Sequence, residues 1–135
     1  MANAIQNSGR NVHAQPWLDE DVIVIGVSAG YSHSAAHTSL ADIPSGARVF
    51  TSDPLTGKSV TNGVCDANDV DIAGLADTDP DVVGLAVIYL RGTEAGSPFA
   101  LWFDTDAAAQ LINYSPSTNT LRIRWSNGVN RIFRV

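Results

Sequence analysis

Short turn sequences interrupt this chain so often that long helices have little room to form. They are IPSG (43–46), DPLTG (53–57), NG (62–63), DTDPD (77–81), RGTEAGSP (91–98), SPSTN (115–119) and NG (127–128). Valine and isoleucine together number 22, whereas lysine, glutamate and glutamine together number only 6. Because β-branched residues suit pleated strands, this balance favours strands over helices. Many short strands between frequent turns are typical of a β-sandwich or β-barrel rather than of an alternating strand–helix fold.

The predicted fold is all-β: a two-layer antiparallel β-sandwich of jelly-roll type with at most one short helix. Strands are expected at DVIVIGV (21–27), ARVFTS (47–52), KSVTNGV (58–64), VDIAGL (70–75), VVGLAVIYL (82–90), FALWFD (99–104), TLRIRW (120–125) and VNRIFRV (129–135). The first is an unbroken apolar run, which predicts a strand buried on both faces. The best helical candidate is SHSAAHTSLADIP (32–44), which offers a serine cap and predicts one short helix or helical turn. Apolar residues spread over these strands are expected inside: Val24, Phe50, Leu85, Val87, Tyr89, Leu101, Phe103, Ile123 and Ile132.

The length of 135 residues suits one domain. We divide the chain into an N-terminal arm, residues 1–20, and a single β-sandwich domain, residues 21–135. The arm is rich in asparagine, alanine and glutamine, so we expect an extended segment or a weak strand rather than a helix. Because it lacks a core-sized apolar run yet carries Trp17 and Leu18, we expect it to become ordered against a neighbouring subunit, with Trp17 as its anchor.

Charge and composition exclude several classes of protein. The net charge of −6 argues against nucleic acid as the main partner, because such domains carry an excess of lysine and arginine. No apolar run approaches the roughly 18 residues needed to span a bilayer, and no basic and apolar leader begins the chain. We therefore expect synthesis in a cytoplasm and no membrane partner. The single cysteine, Cys65, excludes an intrachain disulfide.

The segment Gly26-Val27-Ser28-Ala29-Gly30 matches the G-x-S-x-G pattern of a hydrolase nucleophile elbow. That chemistry requires an acid and then a histidine later in the chain. The last histidine is His37, which follows Ser28 closely with no acidic residue between them. We interpret the pattern as a strand end followed by a turn, and we predict no catalytic residue and no enzyme activity.

Two patterns raise the question of a metal site. His33 and His37 stand four residues apart, but two ligands do not make a site, so a solvated turn is the favoured interpretation. DTDPD (77–81) offers carboxylates at alternate positions, as a calcium loop does, but Val82 follows where an EF-hand needs glycine. We predict no cofactor and no metal, with a weak surface calcium site as the alternative.

Basic residues are concentrated near the C-terminus, at Arg122, Arg124, Arg131 and Arg134. A two-residue turn at Asn127-Gly128 would place Arg124 opposite Arg131, and Arg122 opposite Phe133. Like charges directly across a ladder repel unless a carboxylate lies between them. We therefore predict that Arg124 and Arg131 bind acidic residues, either within residues 66–81 or on another protein.

Three segments together resemble a family of small proteins encoded in the virion-structure modules of tailed bacteriophages. They are SAAHTSLADIPSGA (34–47), LTGKSVTNGVCDANDV (55–70) and WSNGVNRIF (125–133). The resemblance covers roughly residues 22–135. It implies a non-enzymatic virion protein, in the first place a β-sandwich capsid decoration or cement protein that stabilises the head shell.

This resemblance sets expectations for partners and location. The partners would be the major capsid protein and copies of the chain itself, on the capsid surface of a virion assembled in the host cytoplasm. The residues expected at interfaces are Trp17, Leu18, Arg122, Arg124, Arg131 and Arg134. A neck, adaptor or tail structural protein is the alternative within the same class. A calcium- or carbohydrate-binding β-sandwich module is the alternative from another class.

Overall fold

The computed structural model describes residues 14–105, 110–116, 120–125 and 132–134. Its elements are α1 (Gln15–Asp19), β1 (Asp21–Val27), β2 (Arg48–Thr51), β3 (Ser59–Thr61), β4 (Val64–Asp66), β5 (Val70–Ile72), β6 (Gly84–Leu90), β7 (Phe99–Phe103), β8 (Leu121–Ile123) and β9 (Phe133–Arg134). Two single 3-10 turns lie at Leu40–Asp42 and Ser45–Ala47. None of the helices in these ranges is long and apolar enough to cross a membrane.

The strands form three antiparallel sheets. The largest has the order β2-β1-β6-β7, and the two smaller sheets have the orders β3-β4-β9 and β5-β8. Every strand pair in these sheets is antiparallel. With its one short α-helix, the described chain confirms the predicted all-β, sandwich-like fold.

Both faces of the large sheet are buried at its centre. One face packs against side chains of the smaller sheets, including Cys65, Ile72 and Ile123. The other face is covered by the segment that follows β1, chiefly through residues that share a second core cluster: Tyr31, Leu40, Ile43 and Ala47. All of β1 after Asp21 is buried, which confirms the prediction for the DVIVIGV run. The nine residues expected inside all belong to or pack against the first cluster.

Two glycines allow aromatic rings to lie flat against the large sheet. A β-carbon at Gly26 would come within 2.0 Å of the ring of Phe50, and one at Gly84 within 2.2 Å of the ring of Trp102. Phe50 belongs to the core facing the smaller sheets, whereas Trp102 packs on the opposite face. The two glycines therefore place one aromatic ring on each face.

The turn at Asn62-Gly63 divides one predicted strand into two. Both residues have positive φ, 52° and 80°, as a two-residue hairpin turn requires. Thr61 pairs with Val64 across this turn. The expected strand at 58–64 is therefore β3, a tight turn and the start of β4.

One prediction of local structure is wrong. Gln15–Asp19 is a helix rather than an extended arm, because Pro16 suits a first helical turn and Trp17 becomes fully buried against the core. Within 32–44, of the expected short helix or helical turn, the structure has the turn: Ser39 and Asp42 cap each other across a single 3-10 turn, and Pro44 follows. The rest of the expected arm, residues 1–13, lies outside the described residues.

The predicted C-terminal register is also wrong. β8 and β9 belong to different sheets, so Arg122 and Phe133 do not face each other: Arg122 lies opposite Asp71 in β5, and Phe133 lies opposite Cys65 in β4. The physical reason is that β5 offers Arg122 a carboxylate, whereas the chain has no acidic residue after Asp106. The Asn127-Gly128 turn itself, together with Arg131, lies outside the described residues.

Candidate interaction surfaces

Ser28 lies at the wall of the larger surface depression described here. The depression has a volume of about 650 Å³, and Asp81, Asp104 and Asn113 also line it. Ser28 is buried, and its Oγ accepts a long hydrogen bond, 3.4 Å, from the N–H of Gly30. The described lining contains no histidine that could take its proton. The interpretation of GVSAG as a strand end followed by a turn is confirmed.

Two aspartates of the acidic 66–81 stretch hold backbone groups in place. Asp79 accepts a hydrogen bond from the N–H of Ala76 at 2.8 Å, and Asp69 accepts one from the N–H of Trp125 at 3.1 Å. Within the described ranges, no group of three or more histidine, cysteine, aspartate or glutamate side chains is arranged to hold a metal ion. These carboxylates therefore act one by one, at separate turns and strand ends.

Arg122 and Asp71 form a two-point ion pair across β5 and β8. The Nε of Arg122 donates to Oδ1 of Asp71 at 2.7 Å, and its Nη2 donates to Oδ2 at 3.0 Å. This guanidinium holds the pKa of Asp71 below its ordinary value, and Asp71 in turn raises the pKa of Arg122. The 66–81 stretch thus supplies an ion-pair partner to Arg122, and the charge of Arg124 also contributes to lowering the pKa of Asp71.

The remaining predicted interface residues lie in different surroundings. Trp17 is fully buried, and its indole N–H donates to the carbonyl of Asp66 at 3.0 Å, so it is not available to a partner. Leu18 is 38% exposed. Arg124 is exposed and makes no ion pair with the described residues. Arg134 belongs to β9, opposite Val64, and its side chain is outside the described part.

β7 is an edge strand of the large sheet. One side pairs with β6, and at its beginning the N–H of Phe99 donates to the carbonyl of Thr38 at 3.1 Å. Among the described residues, no backbone hydrogen bond reaches the outer side of the following stretch, Ala100–Phe103. All five residues of β7 are apolar and partly exposed. The absence of charged residues from β7 can be read from the sequence. The position of β7 at the edge of the sheet cannot.

Five rings meet beside this edge and form what we call the aromatic–histidine cluster: Tyr31, His33, His37, Phe99 and Trp102. His33 stacks on Trp102 with ring centres 4.9 Å apart and planes only 6° from parallel. The hydroxyl of Tyr31 is hydrogen-bonded to Nδ1 of His37 at 2.6 Å. The two histidines that the sequence places in a solvated turn are therefore organised by aromatic contacts.

The cluster has a buried floor and an open rim. Burial, together with the charge of Asp42, raises the pKa of Tyr31, so its hydroxyl stays protonated around neutral pH. The rim borders a depression of about 340 Å³, lined by His33–Ala35, His37 and Phe99–Trp102. The indole N–H of Trp102 donates to Asp104 at 3.3 Å, outside this lining.

Comparison with known protein families and with curated proteins identified no relative of this chain. No model of a known protein family matches the chain, and no curated protein matches it. The surfaces described above are therefore interpreted from their own geometry and chemistry.

Proposed function

We propose that this chain is a non-enzymatic structural protein of a tailed-bacteriophage virion, and that it decorates the capsid and stabilises the head shell. The starting points are the resemblance of its sequence to small virion proteins and its sandwich-like β fold. In this role its partners are the major capsid protein and copies of itself. Its affinity comes from many repeated weak contacts on the shell rather than from one strong site.

The single observation that carries this proposal is the edge of β7, which no strand of the described residues covers. Natural β proteins usually protect an edge strand with lysine, proline or a covering segment, because exposed backbone groups pair with other chains. Between Ala100 and Phe103 the edge holds neither a charge nor a proline, and each side chain is partly exposed. Such an edge suits a protein that is held against neighbours, where a partner strand can complete the sheet.

Arg124 and Leu18 add two further points of contact to the proposed attachment. Arg124 is an exposed cation on a chain of net charge −6, so it favours an acidic site on a partner. Leu18 is an exposed apolar side chain on α1. Single exposed contacts of this kind contribute little individually, which fits attachment through repetition.

Purified particles provide the test of the proposal. Mass spectrometry should find the chain at a copy number comparable with that of the major capsid protein, and particles made without its gene should lose DNA at a lower temperature. A much lower copy number would move the protein to the neck, adaptor or tail. Absence from purified particles would contradict a virion role altogether.

A variant pair tests the β7 edge itself. Ala100→Lys places a charge on the edge at the position that pairs with no residue of β6, and we expect it to lower occupancy on particles. Ala73→Lys is the matched control, because Ala73 is an exposed alanine that follows β5. Equal occupancy of the two variants would remove β7 from the interface.

A further inference from the structure

The depression beside the aromatic–histidine cluster has features that attachment to a shell does not require. Trp102 lies over Gly84 and meets Tyr31 edge-on, with ring centres 5.5 Å apart. Tyr31 also packs nearly parallel to Phe99. Because Tyr31 is buried and its hydroxyl is bonded to His37, it fixes the rings that border the depression. The aromatic rim is therefore formed before any ligand arrives.

Polar side chains stand next to these rings. The hydroxyl of Ser34 accepts a hydrogen bond from the N–H of Ala36 at 3.2 Å, and its own hydrogen remains available to donate. The Nδ1 of His37 is engaged by Tyr31, which leaves Nε2 for another partner. The side chain of His33 is exposed. The rim thus combines aromatic rings with hydrogen-bonding side chains.

The charges around the depression limit the chemistry of a ligand. Its described lining contains no lysine or arginine. Two carboxylates belong to the same surroundings: Asp42 accepts a hydrogen bond from the N–H of Thr38, and Asp104 accepts one from the indole N–H of Trp102. With a net charge of −6 for the chain, phosphate and carboxylate ligands are repelled. An uncharged ligand with both an apolar face and several hydroxyl groups fits this combination.

We propose that this depression is a binding site for the ring of a neutral sugar. The C–H face of the sugar packs against the exposed face of the His33 ring, whose other face is stacked on Trp102, and its hydroxyl groups bond to Ser34 and His37. A volume of about 340 Å³ lies at the small end of the roughly 300–1,000 Å³ found for ligand sites, which suits one or two sugar rings. The site binds the sugar and catalyses no reaction. This binding is a function separate from the proposed attachment to a shell.

Saturation-transfer NMR on the isolated chain tests the site with named probes: the methyl glycosides of glucose, galactose and N-acetylglucosamine, and glucuronic acid as the anionic comparison. We expect transfer to the ring protons of a neutral sugar and none to glucuronic acid. Trp102→Leu and His33→Ala should each weaken binding about three- to tenfold. Trp125→Leu is the matched control, because Trp125 is also a partly buried tryptophan whose indole N–H is bonded, to the carbonyl of Asn68 at 3.0 Å.

Absence of transfer from all three neutral glycosides at millimolar concentration overturns the proposal. It is also overturned if Trp125→Leu weakens binding as much as Trp102→Leu does. If Trp102→Leu does not fold, His33→Ala decides, since the exposed His33 side chain can be removed with little effect on the core. The copy number on particles is measured separately, so failure of the sugar site and failure of the virion role are distinguishable.

Discussion

β1 and β7 belong to the same sheet and are both strongly apolar, yet their surroundings differ. Six of the seven residues of β1 are buried, whereas all five residues of β7 are partly exposed. β1 lies between β2 and β6, and both of its faces are covered. β7 has a neighbouring strand on one side only among the described residues. An apolar sequence predicts a strand in both cases, but the place in the sheet decides whether the chain itself covers that strand.

The largest expected effect compares one side chain from each strand. Ile25→Ala should lower the free energy of unfolding by about 2–5 kcal/mol, because Ile25 is 1% exposed and its removal leaves a cavity. Leu101→Ala should cost less than half as much, because Leu101 is already partly exposed. Urea unfolding followed by circular dichroism measures both. Equal costs would mean that the β7 edge is as closed as β1.

The core between the large sheet and the smaller sheets should exclude chemical reagents as well as water. Cys65 faces this core and is fully buried, and burial raises the pKa of its thiol from 9.0 to about 11. The reactive thiolate is then about a hundredfold scarcer at pH 8 than in the unfolded chain. We expect a thiol-specific reagent to label Cys65 only after unfolding, at a rate that follows urea concentration. Rapid labelling of the folded chain would contradict this.

The same pKa shift predicts how stability depends on pH. Because the folded chain holds the Cys65 proton more tightly than the unfolded chain, the stabilisation is present below about pH 9. It is lost as the pH rises from about 9 to about 11. Cys65→Ala is the control, since this variant should lack that part of the alkaline loss.

The two glycines that accommodate aromatic rings sharpen the comparison further. Gly26→Ala should cost about 1–3 kcal/mol, because the new β-carbon meets the buried ring of Phe50. Gly84→Ala should cost less, because the ring of Trp102 is partly exposed and can move outward. Gly46→Ala, with no atom within 4 Å of the added carbon, is the control. Thermal unfolding ranks the three, and a cost at Gly84 above that at Gly26 would contradict the expected outward movement of the Trp102 ring.

Local sequence rules succeeded where the contact was local. The run of apolar residues in β1 predicted burial on both faces, and it is buried on both. The Asn62-Gly63 dipeptide closes a tight hairpin, as its composition requires, although the sequence prediction gives one strand over 58–64. In each case the information lies within a few consecutive residues.

Those rules failed where distant residues decide the outcome. The register of β8 follows from its pairing with β5, and the carboxylate of Asp71 is 51 positions from Arg122. The indole N–H of Trp17 in α1 is bonded to the carbonyl of Asp66, which lies 49 positions away in the sequence. The residues around Trp17 therefore do not show the contact that fixes α1. The aromatic–histidine cluster likewise joins the segment after β1 to β7. Such contacts appear only once the topology is known.

The smallest expected effect compares a paired arginine with an unpaired one. Arg122→Glu places two carboxylates opposite each other in β5 and β8, so it should destabilise the chain slightly at low salt. Arg124→Glu should change stability even less, because Arg124 makes no ion pair within the described ranges, yet it should weaken attachment to particles. Melting temperatures at low and high salt, together with occupancy on particles, separate the two effects.

The dependence of stability on acidic pH should also distinguish Arg122 from Arg124. Arg122 lowers the pKa of Asp71, so the pair stabilises the fold above the ordinary aspartate pKa, and this contribution is lost as the pH falls through the lowered value. Asp71→Asn should remove that acid dependence while leaving particle occupancy unchanged. A reduced occupancy of Asp71→Asn would contradict the assignment of the Asp71–Arg122 pair to stability alone. A larger destabilisation by Arg124→Glu than by Arg122→Glu would contradict the assignment of Arg124 to attachment. The basic residue that contacts the partner would then have to be one other than Arg124.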